Sequence, residues 1–329
     1  MKRRLFSYNF ILIVLLFVLM GIIIMGNIPQ KENEFIHVGI AVYNMDDIYM
    51  QNYMEQLQDR LDRYDYSEKK VLYEILDAEG DLNRQQKQLQ YMCSQKFDVL
   101  LINLVQPTSA AGILNEAADL NIPVILFNRE IEAKDLTISD DIWYVGTDAK
   151  AAGAMQGDML TKLWTEQNAE VDHNKNGKLD YVLVEGEETH FDAIRRTNGF
   201  LESSSDINPN QLENISADWR RVLAYDEFSK LDKEIIENVE AVVCHNDDMA
   251  LGIYDYYKAN QIEIPIILGI NNNSEMNEKI KAGEIYGTVD NDIEGQVTYM
   301  CNLLDSILQE QTKDFEKVWY TKPHAVIQQ

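Results

Sequence analysis

Apolar positions along this chain follow two alternating patterns, short and largely continuous runs and a helical period between them. Ile36–Tyr43 predicts a first strand. Ile48–Tyr64 predicts a helix, with Tyr53, Leu57, Leu61 and Tyr64 at helical spacing. The series continues with strand Val71–Asp77, helix Leu82–Gln95, strand Val99–Asn103, helix Ala110–Leu120 and strand Pro123–Phe127. It resumes with strand Trp143–Val145, helix Ala149–Gln167, strand Tyr181–Val184, helix Asp192–Ser203, strand Leu212–Ser216 and helix Glu227–Asn238. Strand Ala241–Cys244, helix Asp248–Asn260, strand Ile266–Ile270 (entered through Pro265) and helix Ser274–Ala282 follow. Strand Gly287–Asp290, helix Ile293–Leu308 and a short strand near Val318–Tyr320 close the series. Such alternation predicts an α/β fold of parallel sheets covered by helices. A body of this length exceeds one core of usual size, so two Rossmann-like lobes are expected.

The first residues follow a different pattern. Lys2, Arg3 and Arg4 precede an uncharged stretch that lasts until Lys31, and Phe10 to Met25 is almost wholly apolar. A membrane helix needs ~20 apolar residues. No small-residue cleavage site and no lipid-anchor cysteine stand directly after the run. Residues 1–30 are therefore expected to be an N-terminal membrane segment with the body outside, or a signal segment if cleaved near Gly26. The predicted location is extracytoplasmic, tethered to the outer face of the membrane, or secreted.

The chain carries a net charge of −26, and removing the three basic residues ahead of the anchor leaves −29 on the rest. That excludes a nucleic-acid partner, which needs clustered Lys and Arg. Cys93, Cys244 and Cys301 are far apart and odd in number, and read as buried apolar side chains.

In open parallel sheets, ligands bind beyond the carboxyl ends of the strands. There this chain places Asp46, Asp47 and Tyr49; Asn103; His190, Asp192 and Arg196; Trp219; His245 and Asn246; Asn271; and Asn291. Carboxylates and amides fork onto adjacent hydroxyls, Arg donates to ring oxygens, and aromatic faces pack on C–H faces, which is polyol recognition. Asp47, Asp192 and Asp248 also suit helix N-caps. A separate loop, Asp172 to Asp180, has oxygen side chains at positions 1, 3, 5 and 9 and Gly177 at position 6, the front of a calcium loop. Position 12 is Leu183, so the loop opens into a strand and lacks the closing carboxylate.

Taken in order, these stretches resemble the periplasmic galactose/glucose-binding proteins of the type I periplasmic-binding fold. The likeness rests on Tyr43–Tyr49, Ile102–Pro107, Tyr144–Asp148, Asp172–Asp180, Gly186–Arg196, Asn246–Gly252 and Gly287–Asp292. The resemblance implies a sugar site with Tyr49 and Trp219 as sandwiching aromatics. Its polar contacts would be Asp47, Asn103, His190, Asp192, Arg196, Asn246 and Asn291. Asn271 stands where the family has Asp, a departure that affects which sugar fits. The resemblance also implies structural Ca2+ held by Asp172, Asn174, Asn176, Asp180, the Lys178 backbone carbonyl and a distant Glu240. It places residues 36–127 plus 292–311 in an N-terminal lobe and 128–291 plus 312–329 in a C-terminal lobe, with crossings near Phe127, Asn291 and Gln311.

The expected function is a non-enzymatic one: lobes closing on a monosaccharide of glucose/galactose type and delivering it to an ABC permease. The alternative is a membrane-anchored sugar sensor signalling to a histidine kinase or chemoreceptor. No Walker loop, dinucleotide fingerprint, nucleophile elbow or His-Glu-x-x-His motif is present. A repressor of the same fold would need a helix-turn-helix where this chain has its apolar run.

Overall fold

The computed structural model describes residues 35–63 and 70–328, without the side chains of 168 and 169. The expected membrane segment at 1–30 lies outside these residues, as does Tyr64. Among the described residues no helix is long and apolar enough to cross a membrane.

Among the described residues two six-stranded sheets form the frame. The first contains β1 (Phe35–Val42), β2 (Lys70–Asp77), β3 (Val99–Ile102), β4 (Val124–Phe127) and β5 (Ile142–Thr147). The second contains β6 (Leu179–Glu185), β7 (Pro209–Ser216), β8 (Ala241–Cys244), β9 (Ile266–Ile270) and β10 (Gly287–Asp290). The last two strands divide: β11 (Val318–Thr321) joins the first sheet beside β5, and β12 (His324–Ile327) joins the second beside β10. All pairings are parallel except β10 with β12.

The central strands are apolar throughout because helices cover both faces. Val99 and Leu101 of β3 face one core with Tyr53, Leu57 and Leu61, while Leu100 and Ile102 face another with Leu89, Met92 and Leu114. Helices α1 (Ile48–Arg63), α2 (Leu82–Gln95) and α3 (Ala110–Asp119) supply these residues. Each such side chain contributes ~1.5–3 kcal/mol by leaving water. The second sheet is layered likewise, with α4 (Ala149–Val171) and α5 (Phe191–Ser203) on one side. On the other lie α6 (Arg221–Phe228), α7 (Lys233–Asn238) and α8 (Asp247–Asn260). Helices α9 (Ser274–Lys281) and α10 (Ile293–Leu308) complete the set, α10 packing on the first sheet. All three cysteines are buried thiols.

Strand pairing moves two lobe boundaries from where the sequence put them. β5 pairs with β4, so the chain leaves the first sheet after Thr147 rather than after Phe127. No α-helix separates β4 from β5, and the chain runs between these two strands of the first sheet through a short 3-10 turn at Asp135–Thr137. β11 also belongs to the first sheet, so the last crossing is at Lys322 and Pro323, not near Gln311. The middle crossing is at Asn291 and Asp292. The expected helix Glu227–Asn238 is two helices, α6 and α7, parted at Ser229–Asp232.

The three crossings meet in one hydrogen-bonded knot. Thr147 Oγ1 donates to the Asn291 carbonyl at 2.8 Å and lies 3.0 Å from Thr321 Oγ1. Thr321 Oγ1 and Gln296 Nε2 reach the same carbonyl at 3.0 and 2.8 Å. Gln296 Nε2 also donates to the Tyr49 hydroxyl at 3.2 Å, joining the knot to the cleft.

Candidate functional site

The carboxyl ends of both sheets face each other across a cleft. Tyr43, Asp47, Tyr49, Asn128, Arg129, His190, Asp192, Arg196, Trp219, Asn246 and Asn271 line one cavity there. Eight of these are residues the sequence singled out; Tyr43, Asn128 and Arg129 are new. Asn103 and Asn291 stand behind the lining. Asn103 is fully buried and donates to the Phe127 carbonyl and the Asn128 side chain, both at 3.1 Å. Asn291 Nδ2 donates to Asn271 Oδ1 at 2.9 Å.

Local structure explains the placements. Asp47 Oδ1 accepts from the Tyr49 amide at 2.8 Å, capping α1, while Oδ2 accepts from the Tyr43 hydroxyl. The caps of α5 and α8 are His190 and Asn246, not Asp192 and Asp248. His190 Nδ1 accepts from the Asp192 amide at 3.2 Å, which leaves Nε2 buried without a partner. Arg196 donates to the His245 carbonyl, and its Nε is also buried without a partner. Asp218 and Trp219 both take positive φ, 46° and 64°, a tight turn that swings the indole into the cleft. The ring lies on Gly186, where a Cβ would come within 2.2 Å of it. Indole Nε1 is a third buried donor without a partner. The Arg196 guanidinium sits 5.3 Å from the Trp219 ring centre. Gly153 and Gly199 let α4 and α5 touch at their backbones, which fixes the start of α5 in the cleft.

Burial sets the protonation states. Asp192 is pushed up to about 6 by burial, with Arg196 opposing. His190 is held well below its ordinary value by burial and by Arg129 and Arg196, so it is neutral. With Nδ1 accepting, the proton of the neutral ring is assigned to Nε2, facing the cavity.

Arg129 completes the wall. Its guanidinium lies 3.7 Å from the Tyr43 ring centre, donates to the Val105 carbonyl at 2.8 Å and pairs with Glu187 of the other lobe at 3.0 Å. Arg195 of α5 pairs with Glu130, which also accepts from Tyr320 at 2.7 Å. Two ion pairs therefore hold the lobes together. The inner cavity has only about 40 Å³ of free space, enough for about three waters at ~10–15 Å³ each. Ligand pockets run to ~300–1,000 Å³, so any ligand larger than a few waters needs the lobes to part.

The Asp172–Asp180 loop lies at the opposite ends of β6 and β8. Asp172 accepts from the amides of Asn176 and Gly177, both at 3.0 Å, which curls the loop. The Asn174 and Asn176 amide groups donate to Asp180 Oδ2 at 2.6 and 2.8 Å. Glu240 is buried beside them; one oxygen accepts from the Asp180 amide at 2.8 Å and the other has no partner. The Lys178 side chain is exposed. Among the described residues no three His, Cys, Asp or Glu side chains are arranged to hold a metal by themselves. A cation here would need the asparagine and backbone oxygens as well, the two amide NH2 groups turning away from the centre.

A model of the periplasmic binding protein domain family matches residues 38–312. The chain is 32% identical over 296 residues to the D-galactose/methyl-galactoside binding periplasmic protein of Haemophilus influenzae, covering 88% of this chain and 86% of that one. A periplasmic solute-binding protein of an ABC transporter from Actinobacillus succinogenes, solved with bound D-allose, superposes with TM-score 0.76 at 16% identity over 89% of this chain and 98% of that one. The fructose-binding periplasmic domain of a hybrid two-component system superposes with TM-score 0.73 at 22% identity, over 89% and 90%.

Proposed function

This chain belongs to the periplasmic binding protein family, and from that premise we propose that it captures a hexose of the galactose/glucose type between its lobes. It acts as an extracytoplasmic sugar-binding protein of an ABC importer; it binds its substrate and does not turn it over. The observation that carries the choice of a hexose is the set of three buried donors without partners, His190 Nε2, Arg196 Nε and Trp219 Nε1, converging with the Asp192 carboxylate. Buried donors left unpaired cost ~1–3 kcal/mol each. A polyol supplies the missing acceptors.

In this reading Tyr49 and Trp219 cover the two C–H faces of the ring. Asp47 and Asp192 accept from hydroxyls, Arg196 and His190 donate, and Asn246 and Asn271 contribute amides. Asn103 and Asn291 reach the ligand once the lobes adjust. Sugar contacts made by both lobes at once bias the open–closed equilibrium toward closed. A tryptophan-fluorescence titration with galactose and glucose tests this: saturable change is expected in the wild type and none in Arg196→Ala. An unchanged titration in Arg196→Ala contradicts the assignment.

The same proposal includes a structural Ca2+ on the far side of the second lobe. Asp172, Asn174, Asn176, Asp180, the Lys178 carbonyl and Glu240 would hold it, and the partnerless Glu240 oxygen supports this reading. A second functional reading, a membrane-anchored sensor, is motivated by the uncharged run before Lys31. Co-purification from membranes separates the two: a permease is expected for the importer, a kinase or chemoreceptor for the sensor.

A further inference from the structure

A second chamber of about 640 Å³ lies beside the inner cavity at the cleft mouth. Tyr43, Asp47, Arg129 and Trp219 line both spaces and form the wall they share. Two exposed aliphatic side chains face this chamber from opposite lobes, Ile48 at the start of α1 (38% exposed) and Val222 in the first turn of α6 (64% exposed). Large aliphatics at the mouth of a polar cleft have no role in either core, whose clusters omit them. Polar groups surround them. Asp248 contributes a carboxylate whose Oδ1 is buried without a hydrogen-bond partner. Asp218 and Arg220 flank the indole of Trp219. The chamber thus repeats the chemistry of the inner cavity, with C–H contacts and forked acceptors, at a scale that holds another ring.

Charge narrows the occupant. Asp46, Asp47, Glu187, Asp218 and Asp248 outnumber Arg129, Arg220 and Arg221 in the lining. Arg129 and Glu187 cancel as a pair and Arg221 is held by Asp255 and Glu275, which leaves Arg220 against Asp46, Asp47 and Asp218. An anionic unit, a sugar phosphate or a uronate, would meet net repulsion.

We propose that this chamber is a second subsite that takes a neutral sugar unit linked to the one in the inner cavity, so that neutral disaccharides are ligands. The assignment rests on the inner cavity being a monosaccharide site. Val222 and Ile48 cover the apolar face of the second ring, and Asp248 accepts from its hydroxyls.

Calorimetric titration of the full chain with galactose, glucose, lactose, melibiose and cellobiose tests it. At least one disaccharide is expected to bind as tightly as its component monosaccharide. Val222→Glu and, on the other lobe, Ile48→Glu are expected to lower the disaccharide-to-monosaccharide affinity ratio by roughly tenfold. Both sites are on the surface, and matched melting temperatures confirm that the variants are folded. Monosaccharide binding with every disaccharide weaker by about a hundredfold or more overturns the second subsite and leaves the inner site standing. Equal losses for both ligand types in the variants also overturn it. Binding of no sugar at all removes the inner site, and the second with it.

Discussion

Asp192 shows how much a single buried group decides. Its value of about 6 exceeds the 3.8 of an ordinary aspartate because burial outweighs the attraction of Arg196. The folded chain therefore holds more protons than the unfolded chain between about pH 4 and 6, and this group's contribution to stability falls as pH rises through that window. Ligand binding has the opposite sign, since hydroxyls donate to the carboxylate. Sugar affinity is expected to fall roughly tenfold between pH 7 and pH 5, and Asp192→Asn to flatten the profile at a lower affinity. A wild-type affinity independent of pH over this range would contradict the role of Asp192. Asn271 allows the reverse experiment. It holds φ 126° and accepts from Asn291. A charged acceptor contributes ~1.5–3 kcal/mol against ~0.5–1.5 for a neutral one, so Asn271→Asp is expected to tighten glucose or galactose about five- to tenfold, read by calorimetry. At this scale the sequence was informative, because polar residues after strands are local features. Arg129 was overlooked although it follows β4 under the same rule; its pairing with Glu187 is invisible without the fold.

Elements and their joints were legible where the pattern is local and opaque where it is not. Buried strands such as Val99–Ile102 announce themselves as unbroken apolar runs. β12 does not: half of it is exposed and it pairs antiparallel, so no run marks it. Which sheet a strand joins is a long-range property, and β5 and β11 were misplaced for that reason. The knot at Thr147, Asn291, Thr321 and Gln296 is likewise non-local. Gln296→Leu removes a buried amide whose two N–H groups serve three acceptors, the Tyr49 hydroxyl, Thr147 Oγ1 and the Asn291 carbonyl. It is expected to cost about 1–3 kcal/mol, read as a lower midpoint in denaturant. An unchanged midpoint would show that the knot carries no stability. The Ca2+ proposed at the Asp172–Asp180 loop gives a separate test. Chelation is expected to lower the melting temperature by roughly 5 °C, from ~2.7 kcal/mol of ligand stabilisation at ~100 Kd. Glu240→Gln should abolish that difference; a chelator effect of equal size in the variant would contradict the ligand set.

The whole molecule is a two-lobed device caught closed. Arg129–Glu187 and Arg195–Glu130 bridge the cleft, each pair with one half-exposed partner. Such pairs are weak, ~0–1 kcal/mol, when exposed to water, so they bias closure without locking it, and the sugar decides the balance. Glu130→Gln is expected to enlarge the sugar-free form in small-angle scattering and to leave the sugar-bound form compact. Asp192→Ala and Arg196→Ala are expected to abolish closure by sugar. Recognition of a monosaccharide by this cleft is decided by calorimetric titration with galactose, glucose, xylose and ribose. Saturable one-to-one binding of a hexose, lost in Arg196→Ala, is the predicted result. Heat of dilution alone for all four sugars would contradict it.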